Sequence, residues 1–225
     1  MGKCNNETFG MSCEKATCLY FKDNNINKID NSRCNMSIIK KLLNIFPKFF
    51  IINNINKLVY SGYNNNKVDF IDDKQRTYSM KSNIKNNNKV CPQNIGQPYK
   101  NKFIENVYNK VNKVKTKVLL NDNIIKKNII CKIDKYLNLY FKHLFCCDYI
   151  IHIQGNSMEP RLINRRKFKF IKSNITFTRY EKEWKESTTV KYNNISIGEF
   201  QFHQHGIKKG IIKFRFHLNK LLNIL

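Results

Sequence analysis

The residues with the clearest chemical potential lie in one hexapeptide, Gly155-Asn156-Ser157-Met158-Glu159-Pro160. Gly155 allows a sharp turn after the β-branched run that ends at Gln154. Pro160 removes a backbone donor and steers Glu159 away from helix, so Ser157 sits on a short turn with its Oγ presented. A serine alcohol needs an adjacent base before it attacks anything. A lysine serves as such a base only where apolar neighbours desolvate it, as Ile212 and Phe214 would Lys213. Lys208 and Lys209 lie in a more polar stretch and are the alternatives. By spacing alone the same hexapeptide also reads as a plain turn. His143, Cys146, Cys147 and His152 form the nearest grouping of metal-ligating types, but no second half-site accompanies it. Neither a metal nor a cofactor is therefore expected.

The hexapeptide resembles the nucleophile box of the type I signal peptidase family, above all its mitochondrial inner membrane branch. The resemblance is tight over 154–160 and looser over 129–198. It implies Ser157 as nucleophile and Lys213 as general base. Gly155, Asn156 and Met158 would then line the oxyanion and substrate pocket. It implies a mainly β catalytic domain of the signal-peptidase type with a preceding helix. The implied activity is that of a membrane-associated serine endopeptidase removing targeting peptides. The implied partners are precursor proteins, a membrane surface and a second peptidase subunit, with nucleic acid unlikely, and the implied location is the mitochondrial inner membrane, with another organellar membrane as the alternative. Two departures accompany it. Arg161 follows the proline where the family has Thr, and no Lys-Arg pair follows Ile197-Gly198-Glu199-Phe200. The chain ends 68 residues after Ser157, so an inactive, truncated peptidase fragment is an alternative. A self-cleaving repressor shares the box, but no helix-turn-helix is evident upstream.

The elements that must position these residues differ along the chain. Residues 1–128 carry the Asn tracts 24–25, 53–54, 64–66 and 86–88 and read as low-complexity, α-helical and disordered, with one or two helices. Within them Val107, Val111, Val114 and Val118 recur at helical spacing. Residues 129–225 read as the catalytic domain. There, 133–145 is an amphipathic helix, and 148–154, 167–172 and 211–216 have the texture of strands.

Composition sets the outer bounds. Lys plus Arg number 41 against 16 Asp plus Glu, a net charge of +25 in 225 residues. That favours anionic partners, lipid or nucleic acid, without choosing between them. A basic nucleic-acid- or membrane-binding protein is thus the competing class, and Arg165-Arg166-Lys167-Phe168-Lys169-Phe170 interleaves aromatics with cations as single-strand binders do. No apolar run reaches the ~20 residues that span a bilayer. The stretches 38–60 and 137–153 come closest, as interfacial or core-facing helices. Met1-Gly2-Lys3-Cys4 hints at acylation, with Asn6 where that motif wants Ser or Thr. Eight cysteines without a Cys-x-x-Cys suit a reducing compartment.

Overall fold

The structure is a computed structural model that describes residues 5–63, 66–84, 88–180, 183–206 and 209–225. The acylation signal at 1–4, Lys208 and parts of the tracts at 64–66 and 86–88 lie outside the described residues. The fold is mixed α/β with two five-stranded sheets, and the chain divides into two compact units. One comprises residues 1–88 with 145–165, the other 89–144 with 166–225.

The first unit opens with α1 (Asn6–Tyr20), whose first turn is capped by Asn5 Oδ1 accepting from Thr8 N–H at 2.9 Å. Its buried stripe, Phe9, Cys13 and Ala16, recurs at spacings of four and three. After two short 3₁₀ turns, Asn35 caps α2 (Met36–Ile52) through Ser37 N–H and Ile38 N–H. Ile39, Leu42, Phe46 and Phe50 form its buried face, and the helix continues through Pro47. Both helices pack in one core with Leu58 and Tyr60 of β1 (Leu58–Tyr60), Phe70 of β2 (Phe70–Asp72), and Tyr78 and Met80 of β3 (Thr77–Asn83). Phe46 and Phe50 meet edge-to-face at 5.1 Å. β1, β2 and β3 are antiparallel neighbours. β3 then pairs in parallel with β5 (Tyr149–Gln154), which pairs antiparallel with β6 (Pro160–Asn164).

In the second unit β4 (Lys89–Val90), β10 (Ile212–His217), β9 (Ile195–Phe202), β8 (Ser187–Tyr192) and β7 (Ile175–Phe177) form an antiparallel sheet in that order. Asn193 and Asn194 both have positive φ, 47° and 65°, the backbone of a two-residue hairpin turn between β8 and β9. α3 (Lys100–Phe103), a π-helical segment (Ile104–Tyr108) and α4 (Asn109–Asn112) follow one another without a break, then α5 (Asp122–Cys131) and α6 (Ile133–Leu144). Tyr140 of α6 stacks on Phe214 of β10 at 4.5 Å. A short α7 (Leu218–Leu222) follows β10.

Several expectations need correction. The mixed α/β fold with two sheets fits the expected mainly β domain only loosely and shows no signal-peptidase fold. The sequence reading places no strand in residues 1–128, whereas β1 to β4 lie there. β1 and β2 have three residues each and β4 two, too short for an alternating pattern to register. The valine helix stops at Lys113, which is left-handed at φ 56°, so Val107 and Val111 are buried while Val114 and Val118 are exposed. The expected strand at 167–172 is absent, because the Phe170 main chain is bonded by a helix side chain. Asn138 Oδ1 accepts from Phe170 N–H at 2.9 Å, and Asn138 Nδ2 donates to Phe170 O. The apolar stretch 38–60 resolves into α2 and β1, and 137–153 into α6 and β5. Among the described residues no helix is long and apolar enough to cross a membrane.

His152 on β5 is fully buried. Its Nε2 lies 3.0 Å from Asn83 Oδ1 and its Nδ1 3.5 Å from Arg161 Nη2, an arrangement that suits the neutral ring. Desolvation, helped by the Arg161 charge, lowers its pKa to about 4. An unfolded histidine titrates at ~6.5, so the unfolded chain takes up the proton first as the pH falls. His152 should therefore cost about 3 kcal/mol of stability as the pH drops from 6.5 to 4. Thermal melts across that window should show His152→Gln with a flatter profile than the parent. Parallel profiles would contradict the buried neutral ring.

Candidate active site

In the first unit, charged and polar groups come together around α1 and the β1–β2–β3 ladder. Asp69 immediately precedes β2 and is almost fully buried. Its N–H donates to Tyr78 O at 2.9 Å and its C=O accepts from Ser61 N–H at 2.9 Å, so its backbone is clamped between the flanking strands. Its carboxylate Oδ2 accepts from Ser79 Oγ at 3.0 Å and from Met80 N–H at 2.7 Å. Asp72, three residues on, shapes the β2–β3 turn by accepting from the backbone N–H of Lys74 and of Arg76. The turn thereby fixes which β3 residues stand beside Asp69. Strand alternation puts Ser79 and Lys81 on one face of β3, while Met80 between them enters the core with α1.

Glu14 reaches the same region from α1, just off the buried stripe. Tyr60 OH, at the end of β1, donates to Glu14 Oε2 at 3.1 Å. The Glu14 carboxyl is pushed up to about 7, first by burial and then by the negative charge of Asp69. The Tyr60 hydrogen bond and the Lys81 and Arg33 charges oppose that rise. Burial and the Glu14 charge raise the Tyr60 hydroxyl in turn. Glu14 on α1 thus feels the charge of Asp69, just before β2, and that of Lys81 on β3.

Carboxylates that repel one another while a lysine stands by form a donor set for a hard divalent cation. Magnesium is held by one or two carboxylates together with substrate phosphates rather than by an all-protein cage. Glu14 and Asp69 fit that pattern. Among the described residues no group of three or more His, Cys, Asp or Glu side chains is placed to hold a metal. Beside this grouping, Cys146 Sγ and Cys147 Sγ lie 3.7 Å apart, and each is 3.6 Å from Lys67 O. The hydrogen bond with Cys147, aided by the Lys81 charge, holds the Cys146 thiol down at about 7.

Ser157, Gly155, Asn156 and Met158 lie in the turn joining β5 to β6. Gly155 N–H donates to Asn83 O at 2.6 Å, and a Cβ at Gly155 would stand 2.9 Å from the Ile84 backbone. That close approach is why glycine is required. Met158 has φ 57° and donates its N–H to Gln154 O at 2.7 Å. Ser157 Oγ accepts from Glu159 N–H at 3.3 Å, a local turn bond. Lys213 belongs to the other unit, on β10, opposite Gln201 of β9. Lys209 is exposed in that unit as well. Glu199, in the strand that resembled the family's Gly-Asp strand, forms ion pairs with Lys89 at 2.7 Å and with Arg215. Of the four residues grouped for a metal, His143 lies in the second unit with Nδ1 3.1 Å from Gln93 O, and His152 is bound to Asn83. Only Cys146 and Cys147 come together.

Sequence reasoning missed Glu14, Asp69 and Lys81. The signal available was Asp69-x₉-Ser79-x-Lys81, an acid and a lysine flanking a turn rich in Asp, Lys and Gln. Nothing in the sequence ties Glu14 to it.

No protein-family profile matches the chain, and no solved structure matches it. Among curated proteins it is similar to the type II restriction enzyme CviAII of Paramecium bursaria Chlorella virus 1. The two are 32% identical over 225 residues, which takes in 96% of this chain and 59% of that protein. The chain thus spans about three-fifths of the length of the relative it matches. This similarity overturns the signal-peptidase resemblance and the serine-endopeptidase activity, precursor partners and unlikely nucleic acid that came with it, because it runs through nearly the whole chain rather than one hexapeptide. The local reason for the false likeness is geometric: Gly155, Met158 and Pro160 meet the demands of a tight β5–β6 connection.

In chelator-treated protein the folded state binds the Glu14 proton more tightly than the unfolded chain, so Glu14 destabilises progressively from pH 4.5 to 7. Glu14→Gln should raise Tm at pH 8 by a few degrees and leave it unchanged near pH 4. An unchanged or lower Tm at pH 8 would count against the strained carboxylate pair.

Proposed function

We propose that this chain carries the cleaving unit of a divalent-metal-dependent DNA endonuclease, hydrolysing phosphodiester bonds. The observation that carries this reading is the Glu14 carboxyl, raised by burial and by the Asp69 charge and eased by Lys81, all three residues belonging to one unit. The similarity to a restriction enzyme supplies the substrate class. The net charge of +25 suits a polyanion, since lysines and arginines gain by replacing counterions along the phosphates. Arg161 and Arg165, exposed on and just after β6, belong to the same unit as the three candidate residues.

In this reading Glu14 and Asp69 hold the cation and so relieve their mutual repulsion. A divalent ion there would polarise the phosphoryl group and favour ionisation of a nucleophilic water. Ser79 Oγ and Met80 N–H keep the Asp69 carboxylate in place, and Tyr60 does the same for Glu14. The Lys81 ammonium stabilises the charge that builds on the phosphoryl oxygens. Water adds to phosphorus, one P–O ester bond breaks, and the departing alkoxide takes a proton.

Asp69→Asn and Lys81→Ala should each lower Mg²⁺-dependent plasmid cleavage by at least about 10²-fold. Both should keep the parent's secondary structure by circular dichroism and its salt-sensitive DNA binding in metal-free buffer. EDTA should abolish cleavage by the parent. Full cleavage by Asp69→Asn, or cleavage in EDTA, would overturn the proposal.

A further inference from the structure

We propose that Cys146, Cys147 and the main-chain carbonyl of Lys67 form a binding site for a soft, thiophilic divalent cation of the zinc class. It is separate from the carboxylate site and independent of the nuclease reading. Three distances carry it. The two Sγ atoms are 3.7 Å apart, and each lies 3.6 Å from Lys67 O. Zinc binds thiolate at about 2.3 Å and oxygen at about 2.0–2.2 Å, tetrahedrally. At the tetrahedral angle, sulfurs so bound stand about 3.8 Å apart, and sulfur and oxygen about 3.6 Å. The triangle in this protein therefore has the dimensions of one face of such a tetrahedron. The fourth corner is left to a solvent or solute donor.

The same triangle disfavours a disulfide as the natural state of the pair. Adjacent trans-linked Cα atoms are about 3.8 Å apart, shorter than the roughly 4.4–6.8 Å that disulfides prefer. Closing the sulfurs would strain the ring, whereas a cation fits between them with the sulfurs as they stand. The soft sulfur donors also set this site apart from Glu14 and Asp69, whose oxygen donors suit a harder ion.

The site has a structural rationale. Cys147 is buried and Cys146 half-buried just before β5, and Lys67 lies in the segment that leads into Asp69 and β2. In the apo protein the thiols approach Lys67 O as donors. On binding, each thiol that still carries a proton gives it to solvent as a sulfur–metal bond forms, so two protons leave per cation below pH 7 and fewer above it. The carbonyl then turns from accepting hydrogen bonds to ligating the ion, and the link from β5 to the Asp69 segment is kept in stronger form.

The test uses the full chain under reducing, metal-free conditions. Titration with Zn²⁺ against a chromogenic chelator at pH 6 should show one equivalent bound with release of two protons. Co²⁺ should give thiolate charge-transfer absorption. Cys146→Ser and Cys147→Ser should each weaken Zn²⁺ binding at least tenfold, while Cys131→Ser, at an exposed free cysteine, should not. Should either variant fail to fold, the parent still decides: Cd²⁺ should slow alkylation of Cys146, read by peptide mass spectrometry, while Cys131 reacts as before. Zinc binding that survives both substitutions would overturn the proposal, as would Cys146 alkylation indifferent to Cd²⁺.

Discussion

The parallel pairing of β3 with β5 is the constraint on which the first unit depends. Parallel neighbours cannot be joined by a tight turn and require a long crossover. Residues 89–144 are that excursion, and they fold with 166–225 as a unit of their own. The pairing matches Tyr78 with Tyr149 and runs on to Asn83 with Gln154. Its start is locked by Asp148, whose Oδ2 accepts from Thr77 N–H at 2.9 Å and from Thr77 Oγ1 at 2.7 Å. Its end is locked by Gly155 N–H donating to Asn83 O and by His152 facing Asn83. One register thus delivers the Cys146-Cys147 pair to the segment that carries Asp69 and builds the turn that holds Ser157.

What was legible in the sequence followed length and contrast. The helix at 133–145 was readable from its helical period, the strand at 148–154 from its β-branched residues and the strand at 211–216 from the alternation at its end. β1, β2 and the Asp69–Lys81 pair were not, since three-residue strands carry no period and their turns blend into an Asn- and Lys-rich background. Asn193-Asn194 shows that such residues are structural in this chain: two asparagines supply the left-handed backbone that a hairpin needs. The hexapeptide around Ser157 misled for the opposite reason. A short exposed turn after a strand imposes glycine and proline whether or not chemistry happens on it.

The candidate site was illegible for a further physical reason, which is that its two acids come from different elements. Ser79 occupies a strand position from which a carboxylate could have faced Asp69 directly. Its hydroxyl donates to Asp69 instead, and the second carboxylate arrives from α1. A like-charge pair spread over helix and strand is held only as firmly as the helix is docked. That docking rests on Phe9, Cys13 and Ala16 against the sheet, and on Gly10, where a Cβ would stand 3.3 Å from Ser82 Oγ on β3. Gly10 lies one turn before Glu14, so its close packing bears on how near α1 carries Glu14 to β3. The charge relation between the two acids is in this sense a property of how closely α1 lies on β3.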